Sequence, residues 1–228
     1  YLRRSGRRII IATNNSLMGA AELTKHLRSL GFDVSPEEIV SVVDATAQWL
    51  AASSPGARVL VLGSPVLVDT LRAAGLDVRE SETEVDYVVT GGDRSFSYAK
   101  LTVAVRAVLG GARFVATNQD GLVYEPDGPF PGGGAVAGAI AGAIGRGPDV
   151  VIGKPSTGLF QEALRRLGLP PAQCAVVGDS LSSDVATAHA CGMSAILVLS
   201  GVTRRALVEG LARPPEAILS SIADLIGY

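Results

Sequence analysis

Several things are scarce in this chain, and each scarcity removes a class of chemistry. There are two cysteines, Cys174 and Cys191, and two histidines, His26 and His189, all far apart. Neither set has the close spacing of a zinc site, and two cysteines make no disulfide framework. Such usage fits a reducing, cytoplasmic setting. No apolar run reaches the roughly 20 residues that a membrane-crossing helix needs, and no stretch reads as a secretory signal. Excess charge is missing as well: 20 basic and 22 acidic residues leave a net charge of -2. That balance gives no electrostatic footprint for nucleic acid. The one basic cluster, Arg3, Arg4, Arg7 and Arg8, reads as decoration of a helix end and the loop after it. Aromatic residues make up only 5% of the chain, but 47% of it is hydrophobic and 18% charged, so a packed core is expected rather than wholesale disorder.

What is present is a repeated strand-then-helix pattern, which predicts a parallel sheet covered on both faces. Arg8–Ala12 reads as a strand, followed by a helix that stops at Gly31. Ser35-Pro36-Glu37-Glu38 has the make-up of a helix start, and Thr46–Ala52 is helical up to a hinge at Ser53-Ser54-Pro55-Gly56. A second series follows: strand Arg58–Leu62, helix Pro65–Ala74, strand Asp86–Thr90, helix Tyr98–Leu109 and strand Arg113–Ala116. Residues 126–131 read as loop. The small-residue stretch Gly132–Gly145 reads as a helix made to approach a sheet closely. Its glycines do not directly follow a strand, which counts against a dinucleotide fingerprint. The chain then returns to strand Asp149–Gly153, helix Ser156–Leu167, strand Cys174–Gly178, helix Asp184–Ala190 and strand Ala195–Leu199. Pro214-Pro215 is expected to open a last amphipathic helix carrying Ile218, Leu219, Ile222, Leu225 and Ile226. The expected fold is a doubly wound parallel α/β core, residues 1–52 and 148–228, with an inserted α/β domain at 53–147.

Three of the strands deliver a residue suited to phosphate at their carboxyl ends, where open α/β sheets bind ligands. Thr13-Asn14-Asn15-Ser16 offers a hydroxyl and backbone amides just before a helix, an arrangement that holds anions; read alone, it is also an ordinary cap. Gly153-Lys154-Pro155-Ser156 places an ammonium at the end of an apolar strand, where a phosphoryl group or open solvent would receive it. Pro155 and the missing glycine run set it apart from a Walker loop. Asp179 and Asp184 bracket a short turn and supply hard oxygens of the kind Mg²⁺ takes, although Asp184 would also serve as a helix cap. An acidic nucleophile to complete such a site is not among the 228 residues.

These stretches resemble the haloacid dehalogenase superfamily, and within it the capped, class IIA branch of p-nitrophenylphosphatase-like enzymes. The motifs are Ile11-Ala12-Thr13-Asn14-Asn15-Ser16, the run Asp149 to Ser156 and the run Val177 to Asp184, with Val61-Leu62-Gly63-Ser64-Pro65 and Ala116-Thr117-Asn118-Gln119-Asp120 in the cap. The resemblance implies Mg²⁺-dependent hydrolysis of small-molecule phosphate monoesters through an aspartyl-phosphate. It implies that Thr13 holds the transferring phosphoryl, with Asn14 and Asn15 beside it, and that Lys154 neutralises charge there. Asp179 is the implied metal ligand, with Asp184 in the same metal shell or orienting Lys154. Asn118 and Asp120 are implied near the substrate or hinge. The implied partners are a small phosphorylated metabolite and, through the cap, a second copy of the chain. The family's Asp-x-Asp nucleophile motif has no counterpart here. With Tyr1 in place of Met, and Tyr1–Arg4 reading as a helix tail closed by Gly6, the expectation is an inactive fragment whose first strand is absent. The alternative is a non-catalytic phosphate- or metabolite-binding protein of the same fold.

Overall fold

The computed structural model describes residues 1–125 and 127–226. These form two compact units: a central one, Ile11–Gly153, and a flanking one in which Tyr1–Ile10 joins the chain from Lys154 onward.

The central unit begins with β1 (Ile11–Thr13), α1 (Ala20–Ser29), β2 (Ile39–Ser41) and α2 (Val42–Ser53). β1 and β2 pair in parallel, with Thr13 opposite Ser41. The expected strand at Arg8–Ala12 is shifted toward the carboxyl end, because pairing and not hydropathy fixes its limits. Ser35 and Glu38 do form a reciprocal capping box, yet it opens only a single tight turn at Pro36–Glu38. The buried Ile39 and Val40 that follow belong to β2 and not to a helix.

Next come β3 (Arg58–Leu62), α3 (Pro65–Ala73), β4 (Asp77–Arg79), β5 (Tyr87–Thr90), α4 (Tyr98–Leu109) and β6 (Arg113–Ala116). The hairpin β7 (Leu122–Glu125) and β8 (Gly128–Pro131), then α5 (Gly133–Ile144) and β9 (Val150–Val151), complete the unit. A five-stranded sheet runs in the order β4-β3-β5-β6-β9, parallel throughout. Its central strands are apolar on both faces, as a sheet covered by helices requires. Leu60, Leu62, Val88, Phe114 and Ala116 pack with Ala104, Ala107 and Val108 of α4 and with Val136, Ala137 and Ile140 of α5.

Residues 128–131 were expected in loop and instead form β8, paired antiparallel with β7; Pro126 lies outside the described residues. A two-stranded hairpin consists only of edges, so Pro129 and Pro131 fit it without breaking a ladder. The glycines expected to bring the small-residue helix close to a sheet instead meet, at its start, the loop after β6. A Cβ at Gly132 would strike the Asp120 carbonyl, and one at Gly134 the backbone of Gln119, whereas Gly138 and Gly142 have open space around them.

In the flanking unit, Arg7 N–H donates to Leu2 O and Gly6 N–H to Arg3 O, both at 3.0 Å, and Gly6 has φ +78°. This is the closing pattern of a helix end. The unit continues with α6 (Gly158–Leu167), β10 (Ala175–Gly178), α7 (Ala186–Ala190), β11 (Ser194–Val198) and β12 (Ala217–Leu219). β10, β11 and β12 form a parallel three-stranded sheet. The expected terminal helix is corrected here: Ala217–Leu219 is a strand that covers the free edge of β11, and Ile222–Leu225 is one tight turn. Only Leu219 and Leu225 of the expected apolar face are buried; Ile222 and Ile226 are exposed. The helix expected from Asp184 starts at Ala186, after a wide turn in which Val185 N–H reaches back to Ser180 O. Among the described residues no helix is long and apolar enough to cross a membrane.

Candidate active site

The candidate residues fall into two sets, one in each compact unit. In the central unit, β1 delivers Thr13 to a turn that closes on itself. Thr13 Oγ1 accepts the Asn15 amide at 3.0 Å, and Asn15 Oδ1 accepts the Leu17 amide at 2.8 Å. Those side chains do the work that a helix start was expected to do. α1 begins only at Ala20, and its first amide is taken by Asp44 at 3.1 Å. One lone pair of the Thr13 hydroxyl is thus used within the turn, while its hydrogen can still be donated.

Asn14, Asn118 and Asp120 form one network. Asn14 Nδ2 donates to Asp120 Oδ2 at 3.0 Å, and Asn118 Nδ2 donates to Asn14 O at 2.8 Å. Asn118 Oδ1 receives the Asp120 amide at 3.1 Å, which folds the chain after β6. Gly153, just past β9, seals the group: a Cβ there would lie 2.6 Å from Asn14 Oδ1 and 2.7 Å from Thr117 O. The structure therefore joins Asn14, Asn118 and Asp120 directly, with Thr13 and Asn15 in the adjoining turn. Ser16 and Gly153 also belong to this group. Ser16 was visible in the sequence only as the last letter of a motif, and its buried contacts come from residues far along the chain.

In the flanking unit the set is charged. Lys154 Nζ lies 2.6 Å from Asp184 Oδ1, with both side chains largely buried, and 5.9 Å from the centre of the Phe160 ring. A buried ammonium in such a place needs an anion close by. The other oxygen of Asp184 accepts the amides of Asp179 and Ser180, each at 3.1 Å. One carboxylate thus fixes Lys154 and the backbone that carries Asp179. Asp179 is half-buried and clamped by the loop after β11: Val202 N–H reaches its Oδ2 at 2.8 Å, and Thr203 N–H reaches its carbonyl at 3.1 Å. Gly201 lies so close that any Cβ would overlap the Asp179 carboxylate. Thr203 Oγ1 accepts the Leu181 amide at 3.2 Å, which ties this loop to the wide turn. Gly201 and Thr203 escaped the sequence reading because a glycine or threonine after a strand is ordinary until its neighbour is known.

A hard divalent cation fits this donor set. Asp179 keeps one carboxylate oxygen without a hydrogen bond from the described residues, while both oxygens of Asp184 are engaged. No group of three or more His, Cys, Asp or Glu gathers among the described residues. One spare carboxylate suits an ion such as Mg²⁺, which keeps several waters and binds through one or two acids.

Parallel βα repeats with polar groups at their strand ends place the chain in the α/β class that binds ligands along that edge. Comparison with known proteins narrows the class. The haloacid dehalogenase-like hydrolase family model matches residues 1–77, and the HAD-hydrolase-like model matches residues 151–225. The acid sugar phosphatase of Staphylococcus aureus is 37% identical over 226 residues, which is 99% of this chain and 86% of that protein. The p-nitrophenyl phosphatase from Archaeoglobus fulgidus superposes with a TM-score of 0.89 at 39% identity, over 99% of this chain and 88% of that one. A glycerol phosphate phosphatase from Mycobacterium tuberculosis, in complex with calcium, gives a TM-score of 0.85 at 34% identity, over 95% of this chain and 65% of that one. The chain belongs to the haloacid dehalogenase superfamily, in its capped, class IIA, p-nitrophenylphosphatase-like branch.

Proposed function

We propose that this chain carries the phosphate-gripping and metal-binding parts of a Mg²⁺-dependent phosphatase acting on small phosphate monoesters. The observation that carries the reading is the Lys154–Asp184 pair at 2.6 Å, with Asp179 held beside it by the same carboxylate. Phosphoryl transfer asks a protein mainly for position and for charge to oppose the equatorial oxygens. In this reading Thr13 donates its hydroxyl hydrogen to a phosphoryl oxygen, and the neighbouring Asn14 and Asn15 keep the turn in shape. Lys154 supplies fixed positive charge, and Asp184 acts through Lys154 and the Asp179 backbone. Asp179 would hold the Mg²⁺ ion, which when bound draws negative charge from the phosphoryl group. Asn118 and Asp120 set the substrate side of the turn. Residues 53–147 serve as the cap and choose the ester, with 1–52 and 148–228 as the core. The relatives' names favour a phosphorylated sugar or polyol as the ester, and the capped branch favours a homodimer.

An aspartyl-phosphate route needs an attacking carboxylate, and the 228 residues contain no Asp-x-Asp. The chain by itself is therefore proposed to bind phosphate with Mg²⁺ and not to turn over esters. Calorimetric titration with inorganic phosphate, with and without Mg²⁺, and a p-nitrophenyl phosphate assay test this together. The expected result is Mg²⁺-dependent binding that Lys154→Ala abolishes, with no hydrolysis. Hydrolysis by these residues would overturn the missing-nucleophile reading. Binding that ignores both Mg²⁺ and Lys154 would overturn the site.

A further inference from the structure

We propose that Ser16 is a positioning residue, which ties the Thr13–Asn15 turn to the carboxyl ends of β3, β5 and β6 and so sets the turn's grip on phosphate. The proposal rests on the phosphate reading of that turn. Ser16 is only 4% exposed, although it lies in a loop between β1 and α1. Its polar atoms are reached from three separate strand ends. After β3, Ser64 Oγ donates to Ser16 O at 2.9 Å. After β5, the Gly92 amide donates to Ser16 Oγ at 2.8 Å. After β6, Asn118 Nδ2 lies 3.3 Å from the same oxygen while it also donates to Asn14 O.

Glycines make this approach possible. A Cβ on Gly91 would lie 3.3 Å from Ser16 Cβ, and one on Gly92 would lie 2.8 Å from Leu17 Cδ2. The hydroxyl has two lone pairs, and the Gly92 and Asn118 donors use both. Burial therefore leaves neither acceptor site wasted, and loss of the oxygen leaves a buried amide and a buried carboxamide hydrogen without it. The turn's own bonds, Asn15 to Thr13 and Leu17 to Asn15, are all local. Ser16, together with the Asn118–Asn14 and Asn14–Asp120 bonds, holds that local loop against the strand ends. A shift at the end of β5 would thus reach the turn through Ser16, and one at the end of β6 through Ser16 and Asn14 together.

Ser16→Ala tests the idea, with Thr46→Val as the reference. Thr46 is equally buried in the same unit, and its hydroxyl serves only its own helix through Val42 O at 2.7 Å. Two quantities are read: the dissociation constant for inorganic phosphate in Mg²⁺ buffer, and amide hydrogen exchange at Asn15, Leu17 and Gly92. Ser16→Ala is expected to weaken phosphate binding about tenfold, the equivalent of one lost buried hydrogen bond. It should also speed exchange at all three amides, whereas Thr46→Val should change neither quantity. Unchanged exchange at Asn15 and Leu17 in Ser16→Ala, or an equal loss of affinity in both variants, overturns the proposal. If the unaltered chain binds no phosphate, the phosphate reading fails, and with it the affinity part of the proposal. Exchange then still decides whether Ser16 holds the turn. Should Ser16→Ala not fold, Ser64→Ala removes the bond to the Ser16 carbonyl and also the cap on the Leu67 amide of α3; faster exchange at Leu17 as well as at Leu67 then supports the proposal, and a change confined to Leu67 overturns it.

Discussion

The two polar clusters are held together by different forces. Around Thr13 the joints are mostly neutral amides and hydroxyls, each bonded to backbone or to another amide. Around Lys154 the joints are ions, with one carboxylate bound at once to an ammonium and two backbone amides. A neutral network loses one bond at a time. A buried ionic one fails as a unit, because removal of one charge strands the other. The first design tolerates adjustment and the second fixes a point of charge.

The sharpest way to break this contrast is Asp184→Ala. It should destabilise folding by about 3 kcal/mol or more, read from urea denaturation, because the Lys154 ammonium and two amides lose their common partner. A loss below about 1 kcal/mol would put the pair on a level with a surface salt bridge and erase the contrast. Asn118→Ala should cost less, about 2 kcal/mol, since neutral hydrogen bonds go one by one. If its cost equals that of Asp184→Ala under the same denaturation, the neutral network is as cooperative as the ionic one.

Glu162 separates buried from exposed ionic joints inside the flanking unit. Its hydrogen bond from Arg165, helped by Arg166, holds its carboxyl down at about 2 from an ordinary 4.5. A depressed carboxyl stabilises fully above the unfolded value and loses that contribution as pH falls toward the folded one. Glu162→Gln should therefore cost about 1 kcal/mol near neutral pH, given the exposure of Arg165. The gap to the unaltered chain should close between pH 4.5 and pH 2, measured by denaturation at each pH. A gap that stays constant over that range would place the cost in packing. Thr117→Val should have the smallest effect. Thr117 Oγ1 is buried without a hydrogen-bond partner among the described residues. Its loss should leave the melting temperature unchanged or slightly raised, within about 0.5 kcal/mol. A clear drop would reveal a partner for that hydroxyl.

Long elements were legible in the sequence because their signals repeat. The apolar runs of β3 and β6 and the glycine-stopped α4 are read from the letters with the limits the structure gives. Three-residue strands carry no period, so β2 was hidden behind a genuine capping box and β12 behind helix-like spacing. Thr13, Lys154 and Asp179 were legible as candidates because each is a polar residue at or just after the end of an apolar strand, and Asp184 because it lies in the turn that follows one. The Lys154–Asp184 pairing was less so, since it spans 30 residues and depends on how β10 and its wide turn are placed. Ser16 and Gly201 were hidden for the same reason: their importance lies in what presses against them, and local pattern does not encode that.

Pro129 and Pro131 also decide what the outer rim of the hairpin offers a neighbouring molecule. Both fall on the same alternation of β8, so the ladder to β7 runs through Phe130 and Gly128. The amides that would face outward are the ones proline lacks. Leu122 and Tyr124 on β7 are well exposed, which would make a plain hairpin adhesive. A strand from a second molecule that tried to extend β8 would meet carbonyl oxygens and no donors, so crowding does not readily turn into intermolecular sheet growth along that rim.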